Sequence, residues 1–264
     1  MDISKVLNEL DSLYREHRLV EIEPFLKSKT DEARRLKDYD SLITLLNEAI
    51  GYYRDRFRFK ECNACCTELL QLFSDMGLKD SRAYATTLLN IATAYRAENR
   101  LDEAMGLYEE VKRIYMLRLD PADYLYAALY NNISLLYEQQ GEYKKAAENL
   151  EKALDIVSAY PEEKASLATS HCNLAKVLLE TARWEEAVIH LEKALMLYSG
   201  LDRRDAHYSL LLSCLGDYFY RKKEYRAAAK AIKEAMAELE YFTGRTDAYY
   251  QLEKKLRKIE SLSP

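Results

Sequence analysis

"YNNISLLYEQQGEYKKAAENLEKAL", residues 130–154, places one glycine between two runs whose apolar and small residues fall at helical spacing. The segment holds no histidine and no obvious catalytic group, so its meaning has to come from recurrence. The same pattern returns as "LLNIATAYRAENRLDEAMGLYEEV" from residue 88, "HCNLAKVLLETARWEEAVIHLEKA" from 171 and "LSCLGDYFYRKKEYRAAAKAIKEA" from 212, with a fainter copy, "LNEAIGYYRDRFRFKECNACCTEL", from 46. The small residue that opens each second helix is Cys62, Ala104, Ala146, Ala187 or Ala228, at steps of 42, 42, 41 and 41. So regular a period marks an array of one repeated supersecondary unit.

Within each unit a compact residue (Ile50, Ala92, Ser134, Ala175, Gly216) stands three before a large one (Tyr53, Tyr95, Tyr137, Leu178, Phe219). Six further on comes a ring or a leucine: Phe59, Leu101, Tyr143, Trp184, Tyr225. Small residues let two helices approach closely and the bulky ones fill the space beside them, which predicts a helical hairpin. In the second helix Tyr108, Val111 and Tyr115 recur as Leu150, Ala153 and Val157 and as Leu191, Ala194 and Tyr198, an unbroken apolar face.

Composition agrees. With 48% hydrophobic and 31% charged residues the 264-residue chain can bury a core, and seven glycines with four prolines are too few for a turn-rich β-fold. A net charge of −5 without a long basic run argues against nucleic acid as a partner. No apolar run is long enough to span a bilayer, and the opening "MDISKVLNELDSLYREH" lacks the pattern of a signal peptide, so a cytoplasmic protein that does not engage membranes is expected. Five cysteines, three of them crowded at 62, 65 and 66, read as reduced thiols. Twenty-two tyrosines against six phenylalanines suit a thin architecture in which many core rings keep a polar tip near solvent.

The small–large–small pattern over about residues 40–240 resembles the tetratricopeptide repeat, and its 41- to 42-residue period resembles the longer kinesin-light-chain-like subclass. The resemblance implies an all-α, right-handed superhelix (an α-solenoid) of about six hairpins with a C-terminal capping helix. The expected layout is one domain over 1–264: a divergent first repeat at 1–38, five repeats at 39–244 and the cap at 245–264. In the first repeat Leu7, Leu10 and Tyr14 fit the first-helix pattern only with one residue deleted from the turn, and Pro24 is placed near the start of a second helix, where its missing N–H costs little. The turn glycine of the pattern, Gly141, is replaced by Asn99, Ala182 and Lys223. In the cap, Tyr250, Leu252, Leu256 and Ile259 are assigned to the apolar side.

The resemblance also implies that first helices line a concave groove that binds extended peptides or partner helices. Asn90, Asn132 and Asn173 share one position in three successive first helices and are expected to form a ladder there. An amide offers both a donor and an acceptor, matching an extended peptide backbone of any sequence. By the same alignment Thr86, Thr93, Arg96, Asn131, Glu138, Lys176, Asp217 and Arg221 face the groove and set selectivity. The competing structural reading is that the asparagines bond across to adjacent hairpins.

Chemistry is otherwise thin. Cys62 and Cys66 occupy packing positions, the cysteines lack a second ligand pair for zinc, and the histidines at 17, 171, 190 and 207 have no metal-site spacing, His171 falling where other repeats carry a core residue. Acidic pairs such as Glu109–Glu110 and Glu185–Glu186 read as a solvated face, and no phosphate-loop, dinucleotide or nucleophile-elbow motif occurs. The expectation is a scaffold, not an enzyme, with no cofactor and no metal, that captures a protein or peptide segment. Two other readings stay open: a module that self-associates through its convex surface or ends, with oligomeric state undecided, and a sensory or docking part of a larger multidomain protein.

Overall fold

A computed structural model describes residues 1–201 and 207–262. Among these the chain forms thirteen α-helices and no strand. They fall into two compact units, Met1–Pro121 and Ala122–Pro264. The first holds the hairpins α1 (Ile3–Arg15) with α2 (Leu19–Leu36), α3 (Tyr39–Arg54) with α4 (Phe59–Asp75), and α5 (Arg82–Ala97) with α6 (Leu101–Arg118). The second holds α7 (Leu125–Gln139) with α8 (Tyr143–Val157), α9 (Lys164–Glu180) with α10 (Trp184–Ser199), α11 (Tyr208–Arg221) with α12 (Tyr225–Thr243), and the terminal α13 (Asp247–Glu260).

One backbone feature recurs in all six hairpins. The turn residue, His17, Phe57, Asn99, Gly141, Ala182 or Lys223, is left-handed, with φ of 56°, 55°, 63°, 77°, 60° and 63°. The next residue then donates its N–H back over the helix end: Arg18 to Leu13, Arg58 to Tyr53, Arg100 to Tyr95, Glu142 to Tyr137, Arg183 to Leu178 and Glu224 to Phe219, at 2.8–3.0 Å. This is the helix-terminating geometry that glycine adopts most cheaply and that asparagine tolerates. Ala182 and Lys223 therefore keep the turn geometry of Gly141 and bear the steric cost of a Cβ in the left-handed region.

The turn also corrects the register of the first hairpin. His17 precedes Ile22 by five residues, as Phe57 precedes Cys62, so no residue is deleted. Leu10 and Leu13 take the compact and large positions and are buried, while Tyr14 is exposed and Leu7 only half-buried. Pro24 also differs from the expectation: it is the sixth residue of α2, past the first turn, so the helix forfeits the bond to the Val20 carbonyl.

Packing follows the period. Cys62, Ala104, Ala146, Ala187 and Ala228 are at most 1% exposed. Tyr108, Val111 and Tyr115 are fully sealed in the first unit, and Leu150, Ala153, Val157, Leu191, Ala194 and Tyr198 belong to one core cluster of the second. Trp184 stays 41% exposed and fills its gap only in part. In α13 the buried aromatic is Tyr249, not Tyr250: with Leu252, Leu256 and Ile259 it completes the 3–4–3 spacing of a helical stripe and packs on Ala228, Ile232 and Met236.

Two stability outcomes follow from this geometry. Ala182→Gly should raise stability by about 0.5–1 kcal/mol in chemical denaturation, since it relieves a left-handed Cβ at the cost of some chain entropy. Gly216→Ala should lower it by about 1–3 kcal/mol, because a Cβ there would lie 2.5 Å from Ile232 Cδ1 and 2.8 Å from its Cγ1. Adding Ile232→Val should return part of that loss.

Candidate functional site: the first-helix faces

The asparagines that define the expected ladder do two things. In the first unit Asn90 Nδ2 donates to Asn47 Oδ1 at 2.9 Å, and Asn47 Nδ2 donates to Thr87 Oγ1 at 3.0 Å and to its own helix at Ile43 O, 2.9 Å. In the second unit the arrangement repeats: Asn173 Nδ2 donates to Asn131 Oδ1 at 3.4 Å, and Asn131 Nδ2 donates to Ser170 Oγ at 2.9 Å and to Ala127 O at 3.1 Å. An asparagine ten residues before the turn residue of one hairpin thus binds a hydroxyl and an amide of the next first helix. Thr87, Ser170 and Asn173 are buried, so each bond contributes about 0.5–1.5 kcal/mol and its loss would strand a desolvated partner. Asn90 and Asn173 therefore tie neighbouring first helices together. Asn132 is half-buried and donates to Ala128 O of its own helix at 2.9 Å.

The charged candidates also form a series. Glu138 of α7 pairs with Lys176 of α9, Glu180 of α9 approaches Arg221 of α11 at 3.8 Å, and Asp217 of α11 meets Lys255 of α13 at 2.8 Å. Each pair is partly exposed and adds little net stability, though together they link the four helices. In the first unit Thr86 is exposed and bonds its own helix at Arg82 O. Thr93 is half-buried, with Oγ1 2.9 Å from Leu89 O and 3.5 Å from the Tyr108 hydroxyl, and Arg96 is half-buried one turn further on.

Between α7 and α9 a cleft of about 480 Å³ opens on the first-helix side of the second unit. Asn131, Asn132, Thr169, Asn173 and Lys176 supply its polar groups, and Ala128 and Ala165 keep its surface low. Small side chains at such a place let the backbone of a ligand approach, and the amides beside them can exchange hydrogen bonds with it.

Sequence reasoning missed two features. Asn47 lies outside the asparagine ladder position and is recognisable only through its bonds to the next hairpin. The second is a histidine pair: His171 Nδ1 and His190 Nδ1 are 2.8 Å apart across the α9–α10 hairpin, so the two rings share one proton. Burial, followed by the charges of His190 and Lys193, pushes His171 down to about 4, and His190 is lowered as well. The two lie on opposite sides of the Ala182 turn, a signal that needs the hairpin before it can be used. The cysteines are structural: Cys62 and Cys66 are 1% exposed, and burial raises the half-buried Cys65 to about 11.

Residues 125–200 match one family model of the tetratricopeptide repeat and residues 85–115 match another. The fold is shared with BtubC (BKLC) from P. vanneervenii, at 19% identity over 86% of this chain and 93% of that one, with a TM-score of 0.67. It is shared with an array of nearly identical TPR-like repeats from Podosopora anserina, named for kinesin light chain, at 18% identity over 76% and 96% with a TM-score of 0.56. RapI in its apo form matches over 99% of this chain and 77% of its own at 14% identity and a TM-score of 0.62. No curated protein matches the chain significantly. Residues 85–115 and 125–200 thus carry tetratricopeptide repeats, and the hairpins share the fold of the kinesin-light-chain-like repeat structures. That fold is typical of protein-interaction scaffolds.

The histidine pair makes stability depend on acid. Both imidazoles are held neutral when folded and are free to protonate when unfolded, so the unfolded chain binds more protons below its own pKa of about 6.5. Stability should be flat above that pH and fall between 6.5 and about 4, where His171 titrates in the folded state. Denaturation midpoints recorded across this range should show a shallower slope for His171→Asn; an unchanged slope would mean that other groups carry the dependence.

Proposed function

We propose that this chain is a non-catalytic scaffold that captures an extended peptide or partner segment on its first-helix faces. The observation that carries the reading is the α7–α9 cleft, whose lining combines Ala128 and Ala165 with Asn131, Asn132, Thr169 and Asn173. In this reading Asn132 meets the ligand backbone, while Asn90 and Asn173 hold the neighbouring helices at the spacing the ligand needs. Lys176, Glu138, Asp217 and Arg221 act as a paired charge series that a charged ligand could exchange into, and Thr86, Thr93 and Arg96 offer the corresponding surface in the first unit. A cytoplasmic location fits Cys62, Cys66, Cys172 and Cys214, which are packed as small apolar side chains.

A second reading has its own observation. On α10, Ile189 and Met196 lie two turns apart and are 52% and 76% exposed, an apolar strip that self-association would cover. Sedimentation at several concentrations separates the two, since groove binding alone leaves the mass unchanged on dilution.

The direct test is recovery of partners from native lysate by the wild-type chain and by Asn132→Ala, Asn173→Ala and Thr169→Arg. Thr169→Arg should fill the cleft and abolish capture while the melting curve stays cooperative, and Asn132→Ala should weaken capture. Asn173→Ala should cost about 0.5–1.5 kcal/mol of stability, its amide being structural. Equal recovery of the same partners by Thr169→Arg and wild type would end the proposal.

A further inference from the structure

The seam between successive hairpins is closed at two places by a pair of rings. Phe73 of α4 packs on Tyr84 of α5, and Tyr198 of α10 on Tyr208 of α11, each with centroids 5.2 Å apart. In both pairs one ring stands eleven residues after the crossing residue of a second helix and the other fifteen before the next turn residue. At the junction of α8 and α9 those two positions hold Val157 and Leu167, so both rings are missing. Beside Leu167 a cleft of about 440 Å³ runs between the first half of α9 and the second half of α10. A close-packed interior leaves such a space only where side-chain volume is lacking.

The lining is apolar with a cationic edge. Leu167 and Leu197 are half-buried against the core of the second unit, His171 is buried, and Met196 is 76% exposed. The flexible, polarizable chain of methionine is suited to lie over an apolar ligand. The exposed Lys164 and Lys193 complete the lining, and no residue is common to this cleft and the α7–α9 cleft.

The fold does not ask for these lysines. Six residues after the crossing residue the second helices carry Glu68, Glu110, Lys152, Lys193 and Glu234, an acid in three hairpins of five. Lys164 stands where α5 and α7 are preceded by Ser81 and Asp123, whose side chains accept N–H groups at the helix start. As the first residue of α9 it also opposes the helix dipole. Among the described residues neither lysine is in an ion pair. Lysine lays its methylenes along an apolar wall and keeps its ammonium in water, so a chain held on the wall would meet positive charge at its end.

We propose that the α9–α10 cleft binds a free medium-chain aliphatic anion, its hydrocarbon on Leu167, Met196 and Leu197 and its charged head between Lys164 and Lys193. At roughly 30 Å³ for a group the size of a water molecule, which is also that of a methylene, the space accommodates a chain of about ten carbons. This is a small-molecule site that does not rest on the scaffold reading above.

The test follows the ¹³C ε-methyl signal of Met196 in the full chain, assigned with Met196→Leu. The ligands are decanoate, hexanoate and decyltrimethylammonium, each below its micelle-forming concentration. Decanoate should give a saturable shift, and hexanoate should bind at least tenfold more weakly, since each buried methylene adds up to about fourfold in affinity. Lys164→Gln combined with Lys193→Gln, both at exposed positions, should weaken decanoate at least fivefold and leave the melting curve unchanged. Leu167→Tyr, which installs the residue found at 84, 126 and 208, should abolish the shift and melt no lower than wild type. An unmoved Met196 signal, equal binding of decanoate and decyltrimethylammonium, or undiminished binding by the double lysine variant overturns the proposal. A shift produced by phosphatidylglycerol vesicles and not by free decanoate also overturns it, by making this face a membrane contact. Sedimentation of the same samples should give one mass with and without decanoate, and a shift that tracked a change of mass would report self-association through α10 instead.

Discussion

Everything in this fold depends on one residue per hairpin that enters the left-handed region and lets the next N–H close over the end of the first helix. That single dihedral sets where the second helix starts, and hence that Cys62, Ala104, Ala146, Ala187 and Ala228 each arrive five residues later at the point of closest approach. The constraint is geometric before it is chemical. Histidine, phenylalanine, asparagine, glycine, alanine and lysine all occupy the position, because the closing bond and the buried interface behind it outweigh a local strain of about 1–2 kcal/mol. A change of dihedral there would move every side chain of the following helix to another face.

The polar residues on the first helices are organised by the same repetition. An asparagine ten before the turn residue is hydrogen-bonded to a hydroxyl twelve before and an amide nine before the next turn, once in each unit and from different residues: Asn47 with Thr87 and Asn90 in one, Asn131 with Ser170 and Asn173 in the other. The same donor–acceptor pattern arising twice means that the bonds follow from the stacking of hairpins and are not accidents of one interface. It also explains why a position that offers itself as a ligand ladder is partly structural. An amide has more bonding capacity than one neighbour uses, so the same side chain can space two helices and still present an oxygen to a groove.

Much of this was legible in the sequence, and the limits have physical causes. The period, the hairpins and their core stripes could be read because small residues at helix crossings leave no substitute. The first repeat was misphased because Tyr14 is as plausible a large residue as Leu13, and only the turn distinguishes them. Tyr249 and Tyr250 pose the same problem: adjacent identical residues differ by 100° around a helix, and packing alone chooses. The His171–His190 contact and the partners of Glu138, Asp217 and Arg221 were invisible because they join helices whose relative rotation no single helix encodes. Asn90 and Asn173 share one register position, as their period implies, and the bonds they make there run to the neighbouring first helix.

Separating positions by what the fold demands of them also says where recognition can reside. Structures with 14–19% identity share this architecture, so few side chains are needed to build it. The turn residue, the crossing residue and the apolar stripe are used up by folding in every hairpin. The position three before the turn is not: it holds tyrosine, then arginine twice, then glutamate, leucine and tyrosine. In the second unit Glu138 is already paired with Lys176 and the leucine is buried. Arg96 instead meets the sealed Tyr108 hydroxyl. A repeat architecture makes this comparison possible inside one chain, because each hairpin is a control for the next and a residue that departs from its equivalents stands out.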